Sequence, residues 1–252
     1  MKKLKTKDGE TILSDNGETY NPVTGALEHV FKRYVEACNI KSGIRVLDIG
    51  FGLGYNSGAV VHKILEENGE IEIIGLELNE GVLDEINNIG VPGYFEKAYW
   101  IIRKAAKKLV FDDNKIKIKI IIGDARKGVK KAEGKFDVIF LDGFSVMKNP
   151  ELYSKEFFEL LKEKLGKNGI LACYSGSPIV RAGLREAGFN IGNGVFLGNV
   201  KTTLASLDRK LGLSQDDEKL IKAFGKPFYD PELNWTRERI IKEWGKLAIQ
   251  NP

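Results

Sequence analysis

The stretch from Val46 to Asn56, VLDIGFGLGYN, places three glycines within five positions directly after an apolar run. The apolar run is typical of a buried strand, and glycine lets a chain leave such a strand through a tight turn. Several classes of nucleotide-like ligand bind at turns of this kind, beside the helix that follows. The spacing of the glycines therefore has to distinguish between these ligands.

Two nucleotide-binding loops do not fit this spacing. A triphosphate-binding loop needs Lys and then Ser or Thr after its last glycine, whereas Tyr55-Asn56 follow here. A dinucleotide fingerprint, counted from Gly50 and Gly52, needs its third glycine at position 55. The bulky Tyr55 at that position would obstruct close packing of helix and strand. The sequence therefore disfavours both kinds of nucleotide.

The remaining pattern is Asp48-x-Gly50-x-Gly52-x-Gly54, an acidic residue followed by alternating glycines. It resembles motif I of the class I S-adenosylmethionine-dependent methyltransferases. Backbone without Cβ atoms can approach the amino-acid end of that cofactor. Asp48 can orient either the turn or the ammonium group of the cofactor.

Two further carboxylates follow predicted strands. Glu77 closes the strand in IIGLEL, and Asp124 follows the strand in IIIGDAR. Because the carboxyl ends of adjacent parallel strands share one crevice, we expect both residues to lie near Asp48. Glu77 can accept hydrogen bonds from the ribose hydroxyls, and the resemblance assigns Asp124 to the adenine amino group. Together the three carboxylates predict a site for S-adenosylmethionine.

Strand and helix patterns alternate between residues 44 and 189, which is typical of βαβ units with a buried parallel sheet. We predict an α/β, Rossmann-like class I methyltransferase fold, with a mostly parallel seven-stranded sheet and helices on both faces. The expected parts are an N-terminal β-hairpin at 1–24, a methyltransferase domain at 25–207 and a C-terminal helical extension at 208–252. Thr24 is a possible N-cap of the first helix.

Two strand patterns carry further predictions. KIKIKIII, at residues 115–122, alternates lysine with isoleucine, which predicts a strand at the edge of the sheet. VFLGNVKTTLAS, at residues 195–206, predicts a terminal antiparallel pair.

Composition limits the partners. The net charge of +4 is compatible with an anionic partner such as RNA. No stretch approaches 18 consecutive apolar residues, and the N-terminus turns polar at once, so we expect a cytoplasmic protein without a membrane partner. Two distant cysteines and two isolated histidines predict neither a disulfide framework nor a metal site.

Four longer motifs occur in order along the chain. They are TKDGETILSDNGETYNPVTGALEHVF at 6–31, IGFGLGYN at 49–56, FLDGFSVMKNPELY at 140–153 and CYSGSPIVRAGLREAGF at 173–189. They resemble TxDGSxTLxS with GExYHS and GAxxExxHVF, IGFGTGLN, LDGFSPxKNPELW and TYSxAxxVRxGLxxAGF of the MnmC-type tRNA methyltransferase family. The resemblance covers the chain from Thr6 to Phe189.

The family resemblance implies a reaction. The domain of that family N-methylates the 5-aminomethyl group of a modified wobble uridine in tRNA, giving 5-methylaminomethyl-(2-thio)uridine. It implies S-adenosylmethionine as cofactor and the anticodon stem-loop of tRNA as partner. Methyl transfer from a sulfonium chiefly requires that a neutral amine is positioned in line and desolvated. Asp142 is the expected catalytic carboxylate, because it can accept a hydrogen bond from the amine and favour its deprotonation.

The predicted site has two sets of residues. We expect the cofactor to be bound by Asp48, Gly50, Phe51, Gly52, Gly54, Asn56, Glu77, Asp124, Ala125 and Asp142. We expect the substrate to be bound by Glu18, Tyr20, Phe144, Lys148, Asn149 and Tyr174. Arg181 and Arg185 lie one helical turn apart, so they could contact phosphate or form an ordinary surface face.

Some positions depart from the family pattern on the substrate side. Tyr20-Asn21-Pro22 replaces Tyr-His-Ser, Ser145-Val146 replaces Ser-Pro, and LGNVKTT keeps only Lys201 of a basic GxGxKR. Two other functions therefore stay open. One is methyl or aminopropyl transfer to a small-molecule amine, since polyamine synthases share this fold with an N-terminal hairpin. The other is a catalytically inert module that binds the cofactor or RNA.

Overall fold

The structure is a computed structural model that describes residues 2–197 and 200–250, without the side chains of 248–250. The strands are β1 Lys2–Thr6, β2 Gly9–Leu13, β3 Ile44–Ile49, β4 Ile71–Glu77, β5 Val110–Asp112, β6 Ile116–Ile122, β7 Phe136–Leu141, β8 Leu165–Cys173, β9 Asn190–Leu197 and β10 Val200–Ser206. The helices are α1 Ala26–Val30, α2 Tyr55–Glu66, α3 Glu80–Glu85, α4 Glu96–Lys108, α5 Ala125–Lys131, α6 Lys155–Lys164, α7 Pro178–Glu186, α8 Gln215–Phe224 and α9 Arg237–Gln250. A π-helical turn, Phe31–Glu36, continues α1.

A central sheet carries the fold, with strand order β5-β6-β4-β3-β7-β8-β10-β9. The five strands from β6 to β8 in this order are parallel to one another, whereas β5, β10 and β9 pair antiparallel with their neighbours. The loops that leave β3, β4, β6, β7 and β8 therefore meet at one edge of the sheet. The predicted α/β, Rossmann-like fold is confirmed.

Alternating side chains of the sheet pack against helices on both faces. Val46 packs into a cluster with α1, α2, α3 and α4, whereas Leu47 packs into the opposite cluster with α5, α6 and α7. In β7, Phe140 and Leu141 divide between the two clusters in the same way. A strand that is buried on both faces reads as a continuous apolar run, which explains why the pattern was visible in the sequence.

The sheet has eight strands within the described ranges, one more than predicted. The additional strand is β5, a segment of only three residues that pairs with Lys117–Lys119 of β6. The prediction that the lysine-rich strand lies at the edge is therefore wrong, because β5 covers it. The predicted antiparallel pair at 195–206 is confirmed as β9 and β10, and residues 198–199 of this stretch lie outside the described ranges.

The N-terminal hairpin packs onto the first helix. Oxygens of the Asp8 carboxylate accept hydrogen bonds from the backbone nitrogens of Leu27 (3.2 Å) and Glu28 (2.7 Å), which satisfies free N–H groups at the start of α1. The N-cap residue is Gly25, with no side-chain cap, so the prediction of Thr24 as the cap is wrong. A side chain distant in sequence serves this end of the helix instead.

The C-terminal extension packs against the second face of the domain. The Phe228 carbonyl accepts a hydrogen bond from the Lys155 nitrogen (2.9 Å), and the fully buried Phe228 ring contacts Trp244 edge-on at 5.5 Å between centroids. Both the hairpin and the extension are thus packed onto the central domain. Their predicted boundaries, at 1–24 and 208–252, stay a prediction. No helix within the described residues is long and apolar enough to span a bilayer.

Candidate active site

A cavity of about 970 Å³ opens where the parallel strands end. Its wall is formed by the loops after β3, β4, β6, β7 and β8, together with the segment after β2, helix α1 and part of the C-terminal extension. This is the crevice in which open α/β sheets bind their ligands. All the predicted site residues except Asp48 and Gly54 line it.

The glycine turn after β3 has left-handed backbone at each of its glycines, with φ of 86° at Gly50, 53° at Gly52 and 72° at Gly54. A Cβ atom at Gly50 would overlap the carbonyl oxygen of Asp142, so the turn lies directly against the loop after β7. At Gly54 a Cβ would overlap Ile102 of α4, which means that this glycine serves packing of α2 on α4. The glycines thus bring the backbone close to the cavity and fix the start of α2.

Asp48 is fully buried behind the cavity wall. It accepts hydrogen bonds from the Ser57 hydroxyl (2.6 Å) and the Asn56 amide nitrogen (3.4 Å) in the first turn of α2. Burial raises the pKa of Asp48 to about 7, although these hydrogen bonds oppose the shift. Of the two roles predicted for this residue, the geometry supports orientation of the turn.

Asp142 lies on the cavity floor, directly after β7. Its Oδ2 accepts a hydrogen bond from the Asn56 amide nitrogen at 2.8 Å, so Asn56 bridges Asp142 and Asp48. Burial raises the pKa of Asp142, and the Asn56 amide, the Tyr34 hydroxyl and the Arg33 guanidinium partly counteract this shift. The Asn56 Oδ1 atom is buried and has no donor, so it can accept a hydrogen bond from a ligand.

Glu77 lies at the end of β4 and holds the glycine turn in place. Its two carboxylate oxygens accept hydrogen bonds from the backbone nitrogens of Gly52 (2.8 Å) and Asn79 (2.9 Å). Burial raises its pKa, and these two hydrogen bonds work against the increase. Each oxygen keeps a further lone pair, so Glu77 can also accept from ligand hydroxyls.

Asp124 connects the cavity with the C-terminal extension. It caps α5 at the Arg126 nitrogen (2.9 Å), and its Oδ2 pairs with the Arg126 guanidinium at 2.6 Å. The same guanidinium binds the fully buried Asp230 at 2.6 Å and the Trp235 carbonyl oxygen at 2.9 Å. Trp235 and its two successors, which are part of the predicted extension, line the cavity on this side.

The segment after β2 closes over the loop after β7. The carboxylate of Glu18 accepts hydrogen bonds from the backbone nitrogen of Ser145 at 2.9 Å and from its hydroxyl. The Tyr20 ring packs edge-on against Phe144 with 5.2 Å between centroids. Both predicted substrate residues are therefore at the cavity, but Glu18 uses its charge to hold two chain segments together.

The other predicted substrate residues differ in the contacts that they make. Asn149 shapes its own loop, because its Oδ1 accepts from the Phe144 nitrogen (2.9 Å) and its amide donates to Glu151 (3.0 Å). Lys148 lines the cavity. Tyr174 follows β8 and lies beneath the guanidinium of Arg33, which is 5.3 Å from its ring centroid.

Sequence reasoning missed several residues at the cavity, among them Arg33, Tyr34, Arg126 and Trp235. A single buried arginine gives no periodic signal, and partners that are distant along the chain cannot be seen in one sequence. The phosphate contact considered for Arg181 is excluded, because that side chain is 1% exposed and pairs with buried Asp217 at 2.9 Å.

Comparison with known proteins identifies the class of enzyme. The crystal structure of MnmC2 from Aquifex aeolicus superposes with a TM-score of 0.90 at 28% identity, covering 99% of this chain and 85% of that one. A family model described as S-adenosyl-L-methionine-dependent methyltransferase matches residues 93–208. The chain is an S-adenosyl-L-methionine-dependent methyltransferase. The resemblance of the methyltransferase to the MnmC-type family is confirmed as well.

Two relatives show the extent of the similarity. An uncharacterised protein of Methanocaldococcus jannaschii is 28% identical over 95% of the methyltransferase and 70% of its own length. The tRNA 5-methylaminomethyl-2-thiouridine biosynthesis bifunctional protein MnmC of Azoarcus sp. is 28% identical over 73% of the methyltransferase. The match covers only 32% of the Azoarcus protein, about a third of its length.

The residues of the methyltransferase fit its cofactor. The glycine turn presents backbone without Cβ atoms to the cavity, and the orphaned Asn56 Oδ1 suits an ammonium group. The carboxylates of Glu77 and Asp124 lie farther along the same crevice, at the ends of β4 and β6. Among the described residues, no cluster of His, Cys, Asp or Glu has the arrangement of a metal site.

Proposed function

We propose that this methyltransferase N-methylates the aminomethyl group of a modified wobble uridine in tRNA, through the anticodon stem-loop. The observation that carries the proposal is the position of Asp142. This carboxylate lines the same cavity as the glycine turn and the aromatic side chains Tyr34 and Tyr174, a position from which it would face both the cofactor and the acceptor. The solved MnmC2 structure and the named MnmC relative support the same reaction. A tRNA substrate also fits the predicted cytoplasmic location.

Three regions of the wall would hold the cofactor. Gly50, Phe51 and Gly52 would lie along its amino-acid end, with Asn56 accepting from the ammonium group. Glu77 would accept from the ribose hydroxyls, and Asp124 with Ala125 would contact the adenine. Asp48 and Gly54 would act from behind the wall, by fixing the turn and the start of α2.

Bound S-adenosylmethionine supplies a methyl group on a sulfonium, so that a nitrogen–carbon bond forms while the carbon–sulfur bond breaks and its electron pair stays on sulfur. Asp142 would accept the proton that the amine must lose, because its raised pKa brings it closer to that of the amine. Asn56 holds the carboxylate in one orientation. Tyr20 and Phe144, packed edge-on, would exclude water on the acceptor side.

Labelling of tRNA tests the proposed acceptor. The protein is incubated with methyl-labelled S-adenosylmethionine and tRNA that carries 5-aminomethyl-2-thiouridine, and the tRNA is digested to nucleosides. We expect the label in 5-methylaminomethyl-2-thiouridine and none in tRNA that lacks the aminomethyl group. Putrescine and spermidine are the control acceptors. Label on these amines, with unlabelled tRNA, would contradict the proposal in favour of methyl transfer to a small-molecule amine.

Cofactor affinity is expected to depend on pH. Asp48, with a pKa of about 7, and Asp142 both accept a hydrogen bond from the Asn56 amide, and the charge of Asp142 contributes to raising the pKa of Asp48. A positively charged ligand favours the ionised pair, so binding releases a proton and affinity rises as pH increases through this pKa. Between pH 6 and 8 we expect a gain of up to about tenfold for S-adenosylmethionine and a smaller gain for S-adenosylhomocysteine, which lacks the sulfonium charge.

Calorimetry in two buffers with different ionisation enthalpies measures both the affinity and the released proton. The variant Asp48→Asn cannot ionise at this position, so its affinity should change less over the same pH range. If the ratio of the affinities for S-adenosylmethionine and S-adenosylhomocysteine stays constant with pH, the ionisation of the two carboxylates does not depend on the sulfonium charge.

A further inference from the structure

Arg33 is a buried arginine that lines the cavity and forms no ion pair with any described residue. Arg33 lies in the π-helical turn after α1 and is only 4% exposed. Within the described ranges, its guanidinium makes no hydrogen bond or ion pair, and its buried Nε has no acceptor. Its one directional contact is with the face of the Tyr174 ring.

The other two buried arginines show what is unusual here. Arg126 is surrounded by Asp124, Asp230 and a carbonyl oxygen, and Arg181 is paired with Asp217. Taking a guanidinium out of water is costly unless an anion or several acceptors compensate. The fold meets this requirement for Arg126 and Arg181 and leaves it open for Arg33. A ligand anion would satisfy it.

The sheet order places this guanidinium on the acceptor side of the cavity. Glu77 and Asp124 follow β4 and β6, which lie on one side of β3, whereas Tyr174 follows β8 on the opposite side, beyond β7. Because Arg33 stacks over Tyr174, it lies across the cavity from the residues that suit the nucleoside of the cofactor. Asp142 follows β7, which lies between β3 and β8, so it stands between these two sides of the cavity. The positive charge of Arg33 acts to lower the pKa of Asp142.

We propose that Arg33 binds a backbone phosphate of the RNA next to the nucleotide that is methylated, with Tyr174 holding the plane of the guanidinium. A planar guanidinium can donate two parallel hydrogen bonds to a phosphate, which fixes orientation as well as affinity. Arg33 is thus a substrate-positioning residue. The proposal rests on the proposed tRNA substrate and adds the phosphate contact that places the wobble base in the cavity.

A cycle that combines protein and RNA changes tests this contact. Two anticodon stem-loop RNAs are used. In each, a neutral methylphosphonate replaces one of the two phosphates that flank the wobble nucleotide. For wild type, we expect one replacement to weaken binding by about tenfold or more, as does Arg33→Gln with the unmodified RNA. Combining the two changes should cause no further loss. Arg33→Lys should retain part of the affinity, because it keeps the charge but not the fork.

Two controls separate this role from a structural one. Arg185→Gln removes a half-exposed arginine that pairs with Glu218 away from the cavity, and it should leave RNA binding unchanged. The dissociation constant for S-adenosylhomocysteine should stay within about twofold in both Arg33 variants. If Arg33→Gln does not fold, the same cycle with Arg33→Lys decides, since the lysine variant retains a charge at this position.

The possible failures are distinct. Additive losses for protein and RNA changes would show that Arg33 does not contact either phosphate, while the tRNA reaction stands. Loss of S-adenosylhomocysteine affinity with unchanged RNA binding would assign Arg33 to the cofactor carboxylate. Absence of RNA binding and of tRNA methylation by the wild type would overturn both the proposed function and this contact.

Discussion

We expect Asp142→Asn to lower kcat for methyl transfer by about 10²- to 10⁴-fold, the range that a positioned proton acceptor contributes. The asparagine has nearly the same shape, and its Oδ1 can still accept the hydrogen bond from the Asn56 amide that Asp142 accepts at 2.8 Å. It cannot take up the proton that leaves the amine. The substitution therefore removes proton acceptance and leaves the shape of the floor intact.

Single-turnover methylation of tRNA measures this loss, and calorimetry with S-adenosylhomocysteine shows whether the cofactor site survives. Asp137→Asn is a matched control near the opposite end of β7, where the exposed Asp137 accepts a hydrogen bond from the Arg45 nitrogen at 2.9 Å, away from the cavity. It should leave kcat unchanged. A loss below about tenfold in Asp142→Asn, with cofactor binding intact, would mean that the amine reaches the site already neutral.

The positions of the acidic residues were predictable because they follow from strand ends. Once Glu77, Asp124 and Asp142 were each placed after a parallel strand, the topology brought them to one edge of the sheet. What each side chain does there was not predictable. Glu77 accepts a hydrogen bond from the Gly52 nitrogen, and Asp124 forms an ion pair with Arg126. Both interactions depend on the path of the loops, which one sequence does not reveal.

Long-range partners account for most of what the sequence did not show. Arg126 and Asp230 are 104 residues apart, and their ion pair brings the C-terminal extension to the cavity wall. Arg181 looked like a surface residue because its partner Asp217 belongs to the same extension. The edge strand β5 escaped prediction for a local reason. Three residues are too few for an alternating pattern to be recognised.

The close approach of the glycine turn to the loop after β7 leads to a second large effect. In Gly50→Ala the new Cβ would overlap the carbonyl oxygen of Asp142, and the residue would have to keep a φ of 86°. The left-handed backbone costs about 1–2 kcal/mol for a residue with a Cβ, and overpacking adds about 1–3 kcal/mol. We expect the free energy of unfolding to fall by about 2–5 kcal/mol, and cofactor affinity to fall at least about tenfold because the turn must move.

Gly43→Ala separates the two causes. Gly43 has nearly the same φ, 83°, but no atom lies within 4 Å of the position that its Cβ would occupy. This variant should show only the backbone cost of about 1–2 kcal/mol in urea unfolding, with normal affinity for S-adenosylhomocysteine. Equal losses of stability in the two variants, with cofactor binding retained in both, would show that the turn can move away from Asp142 without harm. The expected difference would show that the Gly50 turn has to contact the Asp142 backbone. This contact would then fix the position of the bound cofactor relative to the Asp142 carboxylate.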